Sequence, residues 1–316
     1  MKPKISICCL CYNHEKYLRM ALDSFFSQKG EFELEVIIFD DCSTDSSRKI
    51  IEEYKVLYPE VLKIIYPVDN VYSQGKTAFY DIINASSGDF LAFCEGDDYW
   101  ISNLKLEEQL NYLYDNKDLN LVFHPAKKLL NSGELVSKEY GYYGDKSYRH
   151  QFTDVLSISG GYMPMASIFA RKSSFSSWFE VYPDFFSENT WHSVVQILGA
   201  YTNGCGYIPD EMSVYRSMHD GSWSSSISSS ACAIEKDYKS FVNRNRVLKQ
   251  IIGDRYECTF DKVLIDRLVR ISKSRILSLR NKYELLRWTP YNLKLNHKIK
   301  ICVYIILSGV VKYVRK

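Results

Sequence analysis

The chain has 316 residues, 46% of them hydrophobic and 25% charged, with a formal net charge of +2, an ordinary globular composition. This length supports a sizeable core in one large domain or two small ones. No stretch approaches the roughly 20 apolar residues that span a bilayer, and the start MKPKISICCLCYN lacks the regions of a secretory signal, so a cytoplasmic location is expected.

Over the first hundred or so residues, short apolar runs alternate with helical patterns, which predicts β-α-β units and a mainly parallel sheet. The strand candidates are ISICCL, LEVIIF, VLKIIY and DFLAFC. Between the first two, Asn13 is expected to cap a helix striped by Tyr17, Leu18, Ala21, Leu22, Phe25 and Phe26 and ending near Gly30. STDSS offers capping groups to a second helix, RKIIEEYKVLY, which stops at Pro59. GKTAFYDIINASSG predicts a third, ending near Gly88. Cys8, Cys9 and Cys11 fall inside the first strand and the cysteine count of nine is odd, so buried reduced thiols are expected, not disulfides or a redox pair.

Beyond residue 125 the pattern loosens. NSGELVSKEYGYYGDKSYRH carries turn residues and tyrosines with no clean period. A helix is expected at WHSVVQILGAY, a short strand near GYIPDEMSVYR, a loop or linker at SWSSSISSS, and helices at EKDYKSFVNRNRVLKQII and FDKVLIDRLVRISKSRILSLRNKYELLRW. The expected divisions are residues 1–125, 126–225 and 226–316. From Lys262 onward, 14 basic residues face 2 acidic ones, a net +12 that leaves −10 on residues 1–261. The final HKIKICVYIILSGVVKYVRK suits a membrane surface, with a buried helix or a dimer interface as the competing reading.

The chemistry concentrates at strand ends. FCEGDDYW puts Glu95, Asp97 and Asp98 after the fourth strand, at the sheet edge where open α/β folds bind ligands. Alternation along an extended end would aim Glu95 and Asp97 to one side, as hard oxygen ligands for Mg²⁺ or Mn²⁺. Asp98 is a third candidate: metal ligand, ribose contact or anchor of the next turn. FDDCSTD, after the second strand, reaches the same edge; its aspartates either bind a ligand or cap a helix. Together the two clusters argue for a nucleotide-diphosphate site with a metal.

These stretches resemble family 2 glycosyltransferases of the GT-A fold. SICCLCYNHEKYL is similar to the family's opening strand and helix, FDDCSTD to its DDGSTD segment, and EGDDYW to its Asp-x-Asp motif. Lys105, Leu106, Gln109 and Leu113 keep the spacing of one EGDDYW subgroup, and DEMSVYRSMHDGSWS is similar to a later segment. The resemblance implies a Rossmann-like, mainly parallel sheet flanked by helices, here with a C-terminal helical extension. It also implies inverting transfer from a nucleotide-diphosphate sugar, a UDP-sugar first, to a glycan or lipid-linked acceptor in surface polysaccharide synthesis. On it, Asp41 contacts the base beside Leu10, Tyr12 and Asn13. Asp97 ligates Mn²⁺ or Mg²⁺, with Glu95 or Asp98 near the ribose or metal, and Arg216 and His219 belong to the diphosphate and metal side. For the base the chain departs from the family pattern: in DFFSENTWHSVVQILGA, Glu188 is the first candidate, with His192 and Asp184 behind it.

Two departures touch the donor site: Leu10 and Cys11 replace the usual Pro and Thr, and Cys42 replaces a Gly, which restricts that turn if it needs a positive φ. Lys76 reaches a diphosphate or is a solvated helix-start lysine; the absence of a Gly at position 70 removes a phosphate-loop reading of Gly75, Lys76 and Thr77. No GxGxxG supports a dinucleotide enzyme. Nucleic acid is not an expected partner, because aromatic interleaving among the basic residues is sparse. A non-catalytic nucleotide-sugar-binding or partner-binding protein of the same fold is the alternative function.

Overall fold

The structure is a computed structural model and describes residues 2–158, 161–217, 230–274 and 276–289. The chain divides into two compact units, Met1–His219 and Asp220–Lys316. The first begins with β1 (Lys4–Cys11), α1 (Leu18–Phe26), β2 (Glu33–Asp40), α2 (Ser47–Leu57), β3 (Leu62–Ile65), α3 (Phe79–Ala85) and β4 (Phe90–Phe93), matching the four predicted strands and three helices. It continues through β5 (Tyr99–Trp100), α4 (Lys105–Asp115), β6 (Leu121–Phe123), β7 (Ala126–Leu129), β8 (Leu135–Tyr140), β9 (Tyr148–His150) and α5 (Phe152–Ile158). The last elements are β10 (Phe169–Arg171), α6 (Ser173–Val181), α7 (Pro183–Asn189), α8 (His192–Ala200), β11 (Cys205–Tyr207) and β12 (Ser213–Arg216).

One eight-stranded sheet runs β3-β2-β1-β4-β10-β6-β11-β9, and a four-stranded sheet runs β5-β12-β7-β8. The first four strands are parallel, while β10, from beyond residue 126, is antiparallel to both its neighbours, β4 and β6, so strands from both sides of the 125/126 division expected from the sequence share one sheet. The apolar run of β1 is buried along almost its whole length, as a central parallel strand requires. Leu18, Ala21, Leu22 and Phe25 of α1 pack on it in the main core. Phe25 is fully buried, and its replacement by Ala would cost about 3–5 kcal/mol in transfer and cavity energy. The eight cysteines among the described residues are free thiols, and burial pushes Cys11 up to about 12.

Four sequence readings change. Asn13 does not cap α1; it sits at φ 54, and the helix starts at Leu18. The stretch without a clean period forms β8 and β9, and β8 shows no alternation because most of LVSKEY is exposed. The single strand expected near GYIPDEMSVYR is two, β11 and β12. In the second unit, α9 (Ala231–Ile252), α10 (Glu257–Ser272) and α11 (Leu279–Trp288) divide what reads as two helical segments.

These three helices enclose their own core of Tyr238, Phe241, Val242, Leu264, Leu268 and Leu285. Among the described residues no helix is long and apolar enough to cross a membrane. The basic tail on which the expected membrane association rests lies outside the described residues, as do His219 and nearly all of SWSSSISSS.

Candidate active site

Strand β4 ends at Phe93, and residues 94–98 form a turn instead of continuing the strand. Cys94 N–H donates to Cys8 O at 3.2 Å, Gly96 N–H to Leu10 O at 2.9 Å and Asp98 N–H to Glu95 O at 3.1 Å. Because β1 and β4 are parallel neighbours, this acidic turn lies against the loop that leaves β1. Gly96 makes the approach possible: a Cβ there would stand 2.8 Å from His14 Nδ1 and 3.1 Å from Leu18 Cδ1.

The turn, and not strand alternation, therefore sets where the carboxylates go. Glu95 Oε1 lies 3.3 Å from His192 Nε2, and Asp97 Oδ2 lies 4.0 Å from His14 Nε2. Both carboxylates are partly exposed. Asp98 is 4% exposed and accepts the Arg216 N–H at 2.9 Å, tying the turn to β12. Burial, reinforced by the Asp97 and Glu95 charges and opposed by that N–H, holds the Asp98 carboxyl well above the usual carboxylate range.

The second acidic loop is built by the same edge logic. Asp40 is fully buried and takes the Arg48 Nε–H at 2.6 Å, while its other oxygen has no partner among the described residues. Cys42 adopts φ 62, the left-handed conformation that favours the glycine of the family pattern. The Asp41 carboxylate accepts the Val71 and Tyr72 N–H groups at 2.6 and 3.0 Å. Asn13 accepts the Thr44 N–H at 2.8 Å and donates its own N–H to Ser43 Oγ at 2.9 Å. Asp45 accepts the Glu15 N–H while Glu15 accepts the Ser46 N–H. Far from only capping α2, the loop binds together the segments after β1 and β3. Beside it, Leu10 is half-buried and Tyr12 is exposed.

The three base candidates separate. His192 opens α8, its ring stacked edge-on to Phe79 at 5.2 Å and its Nε2 on Glu95. Glu188, on α7, is more than half exposed and sits 3.2 Å from Lys76 Nζ. Asp184 is exposed in the first turn of α7. The Arg216 guanidinium lies between the rings of Tyr17 and Tyr99, at 4.7 and 5.1 Å. Among the described residues no three Asp, Glu, His or Cys side chains form a complete metal-binding group.

Sequence reasoning misses three contributors. His14 stands in the family-like YNHEKYL stretch, so its signal is present. Tyr140 has none: β8 brings it beside Tyr215 at 4.9 Å, and burial, then Tyr215 and the Asp98 and Glu95 charges, push its hydroxyl up. Lys105 enters the sequence reading only through its spacing. It is fully buried behind the turn, donates to Gln109 Oε1 at 2.7 Å and lies 4.1 Å from the Trp100 ring centre. Gln109 passes the connection on to Ser167 O at 2.7 Å. Burial pulls the Lys105 ammonium down to about 7.

A mainly parallel sheet with two acidic loops at the carboxyl ends of β2 and β4 is the GT-A architecture. The fold is similar to that of S. aureus TarS 1-349 solved with UDP-GlcNAc, with a TM-score of 0.62 and 18–19% identity across the TarS 1-349 structures, covering 96% of this chain and 79% of that one. Residues 6–173 match the model of glycosyl transferase family 2, and the chain belongs to that family. It is 32% identical over 222 residues to the uncharacterized protein Rv1520 of Mycobacterium tuberculosis, covering 70% of this chain and 61% of that relative's length. It is also 31% identical over 123 residues to the minor teichoic acid biosynthesis protein GgaA of Bacillus subtilis, covering 38% of this chain and 27% of GgaA.

Proposed function

We propose that this protein is an inverting glycosyltransferase that moves a sugar from a nucleotide-diphosphate donor, a UDP-sugar first, to a glycan or lipid-linked acceptor of a surface polysaccharide. The observation that carries it is the meeting of Glu95, on the donor half, with His192, at the start of α8, within a family 2 chain. The UDP-GlcNAc complex of TarS and the teichoic acid role in GgaA's name support the donor and acceptor classes.

Glu95 and Asp97 would hold Mn²⁺ or Mg²⁺. The fit is chemical: two partly exposed hard carboxylates suit a cation that takes its remaining ligands from water and substrate phosphates. Such a cation would offset the charge of the departing diphosphate. The chain's own part is orientation and proton transfer. Asp41, with Asn13 and Tyr12 beside it, bounds the base and ribose end, while Lys76 and Arg216 stand on the diphosphate side.

The acceptor proton is assigned to His192 ahead of Glu188, reversing the order suggested by sequence. His192 is the candidate that reaches the acidic turn, where Glu95 orients its ring; Glu188 is engaged by Lys76. The test is nucleoside-diphosphate release from a donor panel with Mn²⁺ and an acceptor extract. His192→Gln should abolish acceptor-dependent release while keeping donor-induced thermal stabilisation, and Glu188→Gln should retain most of the release. Donor binding with no release under any acceptor would leave the non-catalytic binding reading instead. Membrane attachment through the basic tail belongs to the same proposal, and truncation after Trp288 should remove binding to anionic liposomes.

A further inference from the structure

At the other end of α8 from His192, a cleft of about 250 Å³ opens between α6, the turn after α8 and the residue that precedes β6. Its walls include Asn120, Ser173, Ser177, Trp178, Tyr201 and Thr202, and no lining residue carries a charge. Trp178 and Tyr201 meet edge to face at 5.0 Å. The Ser174 and Thr202 hydroxyls are satisfied by Arg171 O and Tyr201 O. By contrast, the side-chain polar groups of Asn120, Ser173, Ser177, Trp178 and Tyr201 have no hydrogen-bond partner among the described residues.

We infer that this cleft is a second saccharide-binding site, one that takes one or two neutral sugar residues of a glycan chain. Hydroxyl, amide and indole donors and acceptors beside aromatic rings match a pyranose, which presents hydroxyls at its rim and C–H groups on its faces. With no cation in the lining, a nucleotide or a phosphodiester has nothing to balance its charge, and the polar walls disfavour a lipid chain. The volume is below the roughly 300–1,000 Å³ of drug-sized sites, in keeping with a small ligand. The sequence of α6 points the same way. Its two exposed positions at the cleft, Ser173 and Ser177, are serines, where a solvated helix face ordinarily carries stronger helix formers such as Glu, Lys or Arg.

The value of such a site rests on the glycosyl-transfer reading: α8 separates it from His192 by roughly 12 Å, so it would grip the acceptor or product chain away from the reacting end. The test uses the full chain with maltotetraose, cellotetraose and chitotetraose as probes, followed by saturation-transfer NMR. At least one should bind with a Kd on the order of 1 mM. Ser177→Glu, on an exposed helix position where unfolding is not expected, should weaken that binding at least tenfold, as should Trp178→Ala. Failure of all three probes to bind at about 10 mM overturns the site, and so does binding that survives Ser177→Glu in a protein with unchanged thermal unfolding. Donor breakdown in the absence of glycan should be the same in Ser177→Glu as in the wild type. A protein that binds the saccharide here but never breaks down a donor would keep this site and defeat the catalytic proposal.

Discussion

Replacing Asp98 by Asn distinguishes an anchor from a metal ligand. The Asp98 carboxyl is 4% exposed and accepts the Arg216 N–H at 2.9 Å. An Asn side chain presents a carbonyl oxygen at the same place, so that N–H stays satisfied and the loss should be about 1 kcal/mol or less. Asp98→Ala leaves a buried N–H without its acceptor and opens a small cavity, together about 2–4 kcal/mol. Asp97→Asn is the control: its carboxylate is partly exposed, so stability should hardly move, whereas turnover should fall on the order of 100-fold if that charge serves the metal and diphosphate. Urea unfolding gives the stabilities, and Mn²⁺-supported donor release gives the turnover. An Asp98→Asn protein that unfolds like the wild type yet loses as much activity as Asp97→Asn would refute the anchoring role.

Two further outcomes follow from buried charges. Lys105 is pulled from 10.5 to about 7 by burial, so the unfolded chain binds the extra proton between those values and stability from this group rises with pH across them. In Lys105→Met, which keeps the volume and removes the charge, that rise should vanish; urea titrations of both proteins at pH 7 and pH 10 should differ by a few kcal/mol in their pH response. At the opposite edge of the sheet, Glu35 takes hydrogen bonds from Ser6 and from Ser87 N–H and Oγ, with Lys63 Nζ at 2.5 Å. Burial raises its pKa, but these partners outweigh that and hold it at about 2, below its ordinary 4.5. Its contribution is therefore complete above pH 4.5 and lost as pH falls towards 2, and Glu35→Gln should be less stable by about 3 kcal/mol at pH 7 and about equal at pH 2 in urea titrations.

Local pattern is enough to name the four strands from ISICCL to DFLAFC, the three helices between them and the two acidic clusters. The reason is that periodicity and turn chemistry act over a few residues, and a parallel strand buried on both faces leaves an unbroken apolar run. The EGDD and DDCSTD stretches point to the edge of the sheet through residue type and position after a strand alone. Their wiring is not readable in the same way. Asp98 reaches Arg216 across 118 positions, Glu95 reaches His192 across 97, and Asn13 serves the Ser43–Thr44 loop instead of its own helix. Each contact depends on strand order and register, which set neighbours that no local window contains. Tyr140 enters the site in that manner, through β8, whose exposed LVSKEY carries no periodic signal. Residue types along the chain thus determined the acidic edge of the sheet, whereas the pairing of β4 with β10 and of β5 with β12 determined which distant side chains face it.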